Sequence, residues 1–182
     1  LVILTGAGLL EAQPFEWWDF AFSPLTDKSL AIDDINWNSM CRVMDDSSNL
    51  WVVGMNGEVR NYKLEDSLDL EDAVLLVSSS LGSQYALNDV FFWDAVRGWI
   101  VGCVDDSSGD NGKGVLWRTV NGGADWIPMP EWDFPHHIIQ NKVPFLRVEF
   151  FSRYDGFIRC VDDYLLKTND GGITWMEISK EP

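Results

Sequence analysis

Positive charge is scarce in this chain. Its 182 residues carry 13 Lys and Arg against 29 Asp and Glu, a formal net charge of −16. Such a surface repels phosphate backbones and anionic lipid, which argues against nucleic acid as a partner and leaves a basic protein surface open. The same excess keeps an aromatic-rich protein in solution. Histidine is nearly absent: His136 and His137 are the only two, and they are adjacent. In an extended strand such neighbours point to opposite faces and do not converge on a metal, and the prolines around them mark a surface connection. Cys41, Cys103 and Cys160 are too few for a disulfide framework. There is no Cys-x-x-Cys pair, no Gly-rich phosphate loop opening a helix and no Gly-x-Ser-x-Gly elbow. Long apolar runs are missing as well. LVILTGAGLLEA, at 1–12, falls short of the ~20 residues a membrane helix needs. It reads as a strand supplied to another part of the fold, or as the tail of a targeting segment.

What the chain does have is an eight-residue motif written twice, TVNGGADW at Thr119–Trp126 and TNDGGITW at Thr168–Trp175. Thr119 and Thr168 offer hydroxyls to a tight turn, and Asn121 and Asp170 can accept backbone N–H bonds within it. Gly123 and Gly172, each preceded by another glycine, permit the positive φ that hairpin connections use. Trp126 and Trp175 follow where a large ring can fold back over the hairpin.

The flanks repeat too. Val90-Phe91-Phe92 answers Val148-Glu149-Phe150, Gly98-Trp99 answers Gly156-Phe157, and CVDD at Cys103 answers CVDD at Cys160. A worn third copy runs from Ile32 to Tyr62, with Trp51-Val52-Val53-Gly54 matching WIVG and no turn motif after it. The three cysteines fall at comparable places in this alignment and read as fillers of similar small apolar sites. Each unit is four short strands over roughly 45 residues, the spacing of one propeller blade. The apolar runs are short, aromatic and β-branched, bounded by Gly, Asn and Asp, which disfavours helical repeats. LEDSLDLEDAVLLVSSS, at Leu64–Ser80, reads as an acidic linker feeding a buried strand at Ala73–Val77.

The expected fold is therefore all-β, a β-propeller of four-stranded antiparallel blades with Asp-box hairpins, three to four of them visible. The expected organisation is an apolar tail or strand at 1–14 and propeller repeats over 15–182, at about 15–80, 85–130 and 145–182.

TNDGGITW fits the Asp-box of the bacterial-neuraminidase (BNR) repeat. Together with DVFFWDAVRGWIVG, at Asp89–Gly102, the chain resembles the photosystem II stability/assembly factor propellers of cyanobacteria and plastids. The resemblance covers most of the chain from about Phe15. It implies a non-catalytic scaffold without cofactor or metal, docking on a photosystem or an assembly intermediate at the lumenal side of a thylakoid. The chain departs from that family in size, with room for roughly four blades against about seven, and in being acidic where the family has an arginine-rich face.

The Asp-box also occurs in sialidases and in secreted and receptor modules, and these are the alternative readings. Sialidases clamp a carboxylate with three arginines and attack with a tyrosine beside a glutamate. Arg42, Arg60, Arg97, Arg118, Arg147, Arg153 and Arg159 are available, with Tyr154 and Glu149. Several recur in register, as repeat residues do. DDSSGDNGKG, at Asp105–Gly114, fails the EF-hand pattern: counted from Asp106, Asn111 stands where glycine is needed and Trp117 where glutamate is needed. It reads as a solvated loop. The aromatic stretches FEWWDFAF and MPEWDF lie between blades, so Trp17, Trp18, Trp132 and Phe134 are either core or anchors for a protein partner.

Overall fold

The computed structural model describes residues 36–43, 46–64, 73–106 and 108–178. Among these residues twelve strands form three separate four-stranded sheets. The first holds β1 (Trp37–Val43), β2 (Asp46–Gly54), β3 (Glu58–Lys63) and β4 (Val74–Ser80). The second holds β5 (Tyr85–Phe92), β6 (Gly98–Val104), β7 (Gly114–Thr119) and β8 (Ile127–Pro128). The third holds β9 (Phe145–Phe150), β10 (Gly156–Cys160), β11 (Leu165–Thr168) and β12 (Met176–Glu177). Each is an antiparallel meander in sequence order. One helical turn, α1 (His136–Gln140), lies between the second and third sheets. Among the described residues no helix is long and apolar enough to cross a membrane.

The sheets stack face to face, so a central strand is apolar on both sides. In β6 the odd and even residues part company. Trp99 and Val101 join the cluster shared with the third sheet, while Ile100 joins the one shared with the first. All three are fully buried. Two inter-sheet cores result, and together they hold most of the buried apolar residues among those described.

Close approach at the inner strands is paid for with glycine. A Cβ on Gly102 would sit 2.1 Å from the Ala86 carbonyl oxygen, and one on Gly54 would sit 2.5 Å from that of Asn36. Both face a bulge in the neighbouring strand, after Leu87 and after Trp37.

The pairing register corrects the reading of the cysteines. Gly98 pairs with Thr119 as Gly156 pairs with Thr168, which makes Cys160 the counterpart of Gly102 rather than of Cys103. Cys41 lies on β1, a different strand of its sheet. Only Cys160 is fully buried. The shared CVDD spelling is displaced by one residue relative to the strands, and a shift of one flips a side chain to the other face.

The strand expected at Ala73–Val77 exists as β4, at Val74–Ser80, but it is not buried. Val74, Leu75 and Leu76 are about half exposed, because β4 is the outer edge of its sheet. The adjacent histidines lie exposed in the connection between the second and third sheets, where they open α1. His137 Nε2 lies 2.6 Å from a carboxylate oxygen of Glu177 on β12.

Candidate functional site

The repeated motif closes the β7–β8 and β11–β12 hairpins, and its polar atoms are used within them. Thr168 is buried. Its hydroxyl donates to Asp170 Oδ1 at 2.7 Å and accepts the N–H of Gly172 at 3.0 Å. Asp170 in turn accepts the backbone N–H groups of Ile173 and Thr174 and the Thr174 hydroxyl. In the second sheet Thr119 donates to Asn121 Oδ1 and accepts the N–H of Gly123, both at 2.9 Å. Asn121 Oδ1 accepts the N–H of Asp125 at 3.0 Å. Partial burial works against ionisation of Asp170, but the bonds from Thr174, Thr168 and Ile173 outweigh it and hold the carboxyl below its usual range. The polar atoms of the motif thus serve the hairpin that carries them.

Each hairpin is gripped by a tryptophan of the preceding sheet. Trp99 stacks on Phe150 at 3.8 Å between ring centroids, and Phe150 meets Trp175 edge to face at 6.0 Å. Trp51 stacks on Phe92 at 4.9 Å, and Phe92 meets Trp126 edge to face at 5.8 Å. A Cβ on Gly123 would lie 2.2 Å from the Trp51 ring, and one on Gly172 would lie 2.6 Å from Trp99 Nε1. Both glycines have positive φ, 79° and 81°. The glycine is therefore required twice over, by its backbone and by the ring against it.

A second link joins the inner strands. Asn38 Nδ2 donates to the Leu87 carbonyl at 2.9 Å, and Asn88 Nδ2 donates to that of Phe145 at 2.8 Å. Asp89 spans all three sheets: it accepts from the Ser39 hydroxyl at 2.6 Å and from the Val148 N–H at 2.9 Å. Burial pushes its carboxyl above the usual range.

Around these strands lies a cavity of about 410 Å³, lined by polar and charged groups that include Ser39, Asp89, Arg147, Glu149 and Arg159. Arg147 and Arg159 are cross-strand partners with exposed side chains. Nothing in the spelling of the sequence singled this cavity out. The signal was available only through register, since Ser39, Asp89 and Arg147 occupy equivalent positions on β1, β5 and β9.

The remaining expected site residues fall in different places. Trp17 and Trp18 lie outside the described residues. Trp132 is 84% exposed, on the turn Glu131–Asp133. Phe134, two residues on, is buried, with its ring 5.2 Å from that of Phe145. The arginines available for a carboxylate clamp are scattered. Arg97 is paired with Asp94, Arg153 lies over the Tyr154 ring, and only Arg147 and Arg159 share the cavity with Glu149. Among the described residues no three His, Cys, Asp or Glu side chains are placed to hold a metal ion.

Stacked four-stranded meanders with the innermost strands around a shared cavity are the architecture of a propeller. Comparison with solved structures agrees. A structure described as "YCF48 bound to D1 peptide" superposes with a TM-score of 0.56 at 17% identity, over 81% of this chain and 41% of that one. YCF48 from Cyanidioschyzon merolae superposes with a TM-score of 0.53 at 20% identity, over 73% of this chain and 37% of that one. The fold is that of the YCF48 propellers. This chain spans about two fifths of the length of those YCF48 structures. No protein-family model and no curated protein matches it.

Proposed function

We propose that this chain is a non-catalytic β-propeller scaffold that docks on a protein of photosystem II or of one of its assembly intermediates. The observation that carries the reading is the likeness to YCF48, a photosystem II assembly factor whose structure has been solved with a D1 peptide. The geometry is consistent with it. The hydroxyls of Thr119 and Thr168 and the carboxylate of Asp170 serve their own turns. The cavity on the inner strands offers two guanidinium groups, Arg147 and Arg159, suited to a peptide carboxylate or carbonyl. Trp132, exposed in a connection between sheets, is a second contact of the kind that dominates protein interfaces. The corresponding location is a peripheral one, on the lumenal side of a thylakoid in a plastid or cyanobacterium.

Affinity capture from solubilised thylakoids, with the full chain as bait, tests the reading. Recovery of a photosystem II reaction-centre protein, reduced by Arg147→Ala/Arg159→Ala, is the expected result. Capture of no photosystem component overturns it. Release of reducing sugar or sialic acid from a generic substrate panel would favour the hydrolase instead.

A further inference from the structure

A second cavity, of about 340 Å³, opens at the end of the second sheet away from the motif hairpins. Its floor is apolar and aromatic. On the side of the first sheet the rings of Tyr85 and Trp117 meet edge to face at 4.7 Å, and on the side of the third Leu116 and Phe134 are buried. Its rim is acidic, with Asp106, Asp110 and Glu131 against one lysine, Lys113. The Lys113 ammonium lies 2.7 Å from Glu131 and 3.3 Å from Asp110, and these bonds raise its pKa. Lys113 is shared between two of the three carboxylates, so Asp106 has no cationic partner in the lining and the lining keeps a net charge of −2. Asp105 and Asp133 adjoin them in sequence, and Lys142 is engaged with the Gly109 carbonyl. Trp132, next to Glu131, stands 84% exposed beside this rim.

We propose that this cavity takes an arginine or lysine side chain from an extended basic segment of a protein partner. The aliphatic stem of such a side chain covers aromatic and aliphatic carbon while its head stays among carboxylates, and a cation over Tyr or Trp gains from the ring quadrupole. Charge complementarity decides between partners: an acidic or purely apolar segment would leave the rim carboxylates desolvated and unpaired. The site lies apart from the inner-strand cavity, shares none of its lining residues, and does not depend on the photosystem reading.

The test is calorimetric titration of the full chain with an amidated tetra-arginine peptide, with tetra-glutamate as the control. Saturable one-to-one binding is expected, weakening with salt. Glu131→Gln/Asp106→Asn should weaken it by roughly tenfold or more, as the loss of charge-assisted bonds implies, and Trp132→Ala should weaken it too. Asp162→Asn/Asp163→Asn removes the same charge from the third sheet, outside the cavity, and should change affinity little. Absence of binding overturns the proposal. So does binding without saturation, or an equal loss in both double variants, since either would mean diffuse attraction to an acidic chain.

Discussion

The indole N–H of Trp99, on β6, donates to the carbonyl of Gly171 at 3.3 Å across the boundary between the second and third sheets. The bond is buried, and it joins a strand of one sheet to the hairpin of the next. Truncation by Trp99→Ala removes both the bond and the stack on Phe150, and should cost about 3–5 kcal/mol. Trp99→Phe keeps most of the stack and should cost much less. Urea denaturation of the two variants measures the difference.

Gly172→Ala should destabilise more than Gly171→Ala. Both residues have positive φ, 81° and 76°. At Gly172 the new Cβ would also meet Trp99 Nε1 at 2.6 Å, whereas at Gly171 the nearest atom is the Arg153 carbonyl oxygen at 3.2 Å. Denaturation midpoints for the pair separate the backbone cost, which they share, from the collision, which they do not.

Thr168→Val replaces a buried hydroxyl with a methyl of similar size and leaves the N–H of Gly172 without its acceptor. Thr119→Val does the same to Gly123. Each should cost about 1–3 kcal/mol, the penalty for orphaning a buried donor. Faster amide exchange at the named glycine is the local readout.

The Asp170 carboxyl is held below its ordinary value of 3.8 in the folded protein. Its ionised form is therefore favoured by folding, so its stabilising contribution is fully present above the unfolded pKa. That contribution is lost as pH falls from there through the folded pKa. Asp170→Asn should lower stability at neutral pH and flatten the acid limb of the stability profile, whereas Asn121, in the other hairpin, gives no such dependence. Thermal unfolding at several pH values for both proteins decides the matter.

Alkylation should distinguish the cysteines. Burial pushes the Cys160 thiol up to about 12, and Cys41 and Cys103 are raised less while remaining half-buried. Iodoacetamide at mildly alkaline pH should label Cys41 and Cys103 first and Cys160 only on unfolding. Peptide mass spectrometry gives the order directly.

The blades and the motif hairpins were legible because local chemistry dictates them. Gly-Gly with Asn121 or Asp170 makes a turn wherever it stands, and the GWIVG pattern demands a strand covered on both faces. Contacts between sheets were not legible. That Trp51 and Trp99 grip the following hairpin, or that Asp89 joins three sheets, depends on which face a residue takes once a bulge has shifted the register. The misreading of Cys160 has another origin: β6 reaches its CVDD one residue later than β10 does, so the spelling matched while the face did not. The exposure of Val74–Leu76 has a different cause, since composition does not reveal which strand of a sheet is left at the edge.

The chain of rings from Trp51 to Phe92 to Trp126, and again from Trp99 to Phe150 to Trp175, connects only sheets adjacent in sequence. Such an array melts as coupled neighbours, each sheet contributing its own term and each seam another. Damage at Trp51 should speed proton exchange at the Gly123 hairpin while the amides around Gly172 hold. The seams set the distance over which one lesion is felt.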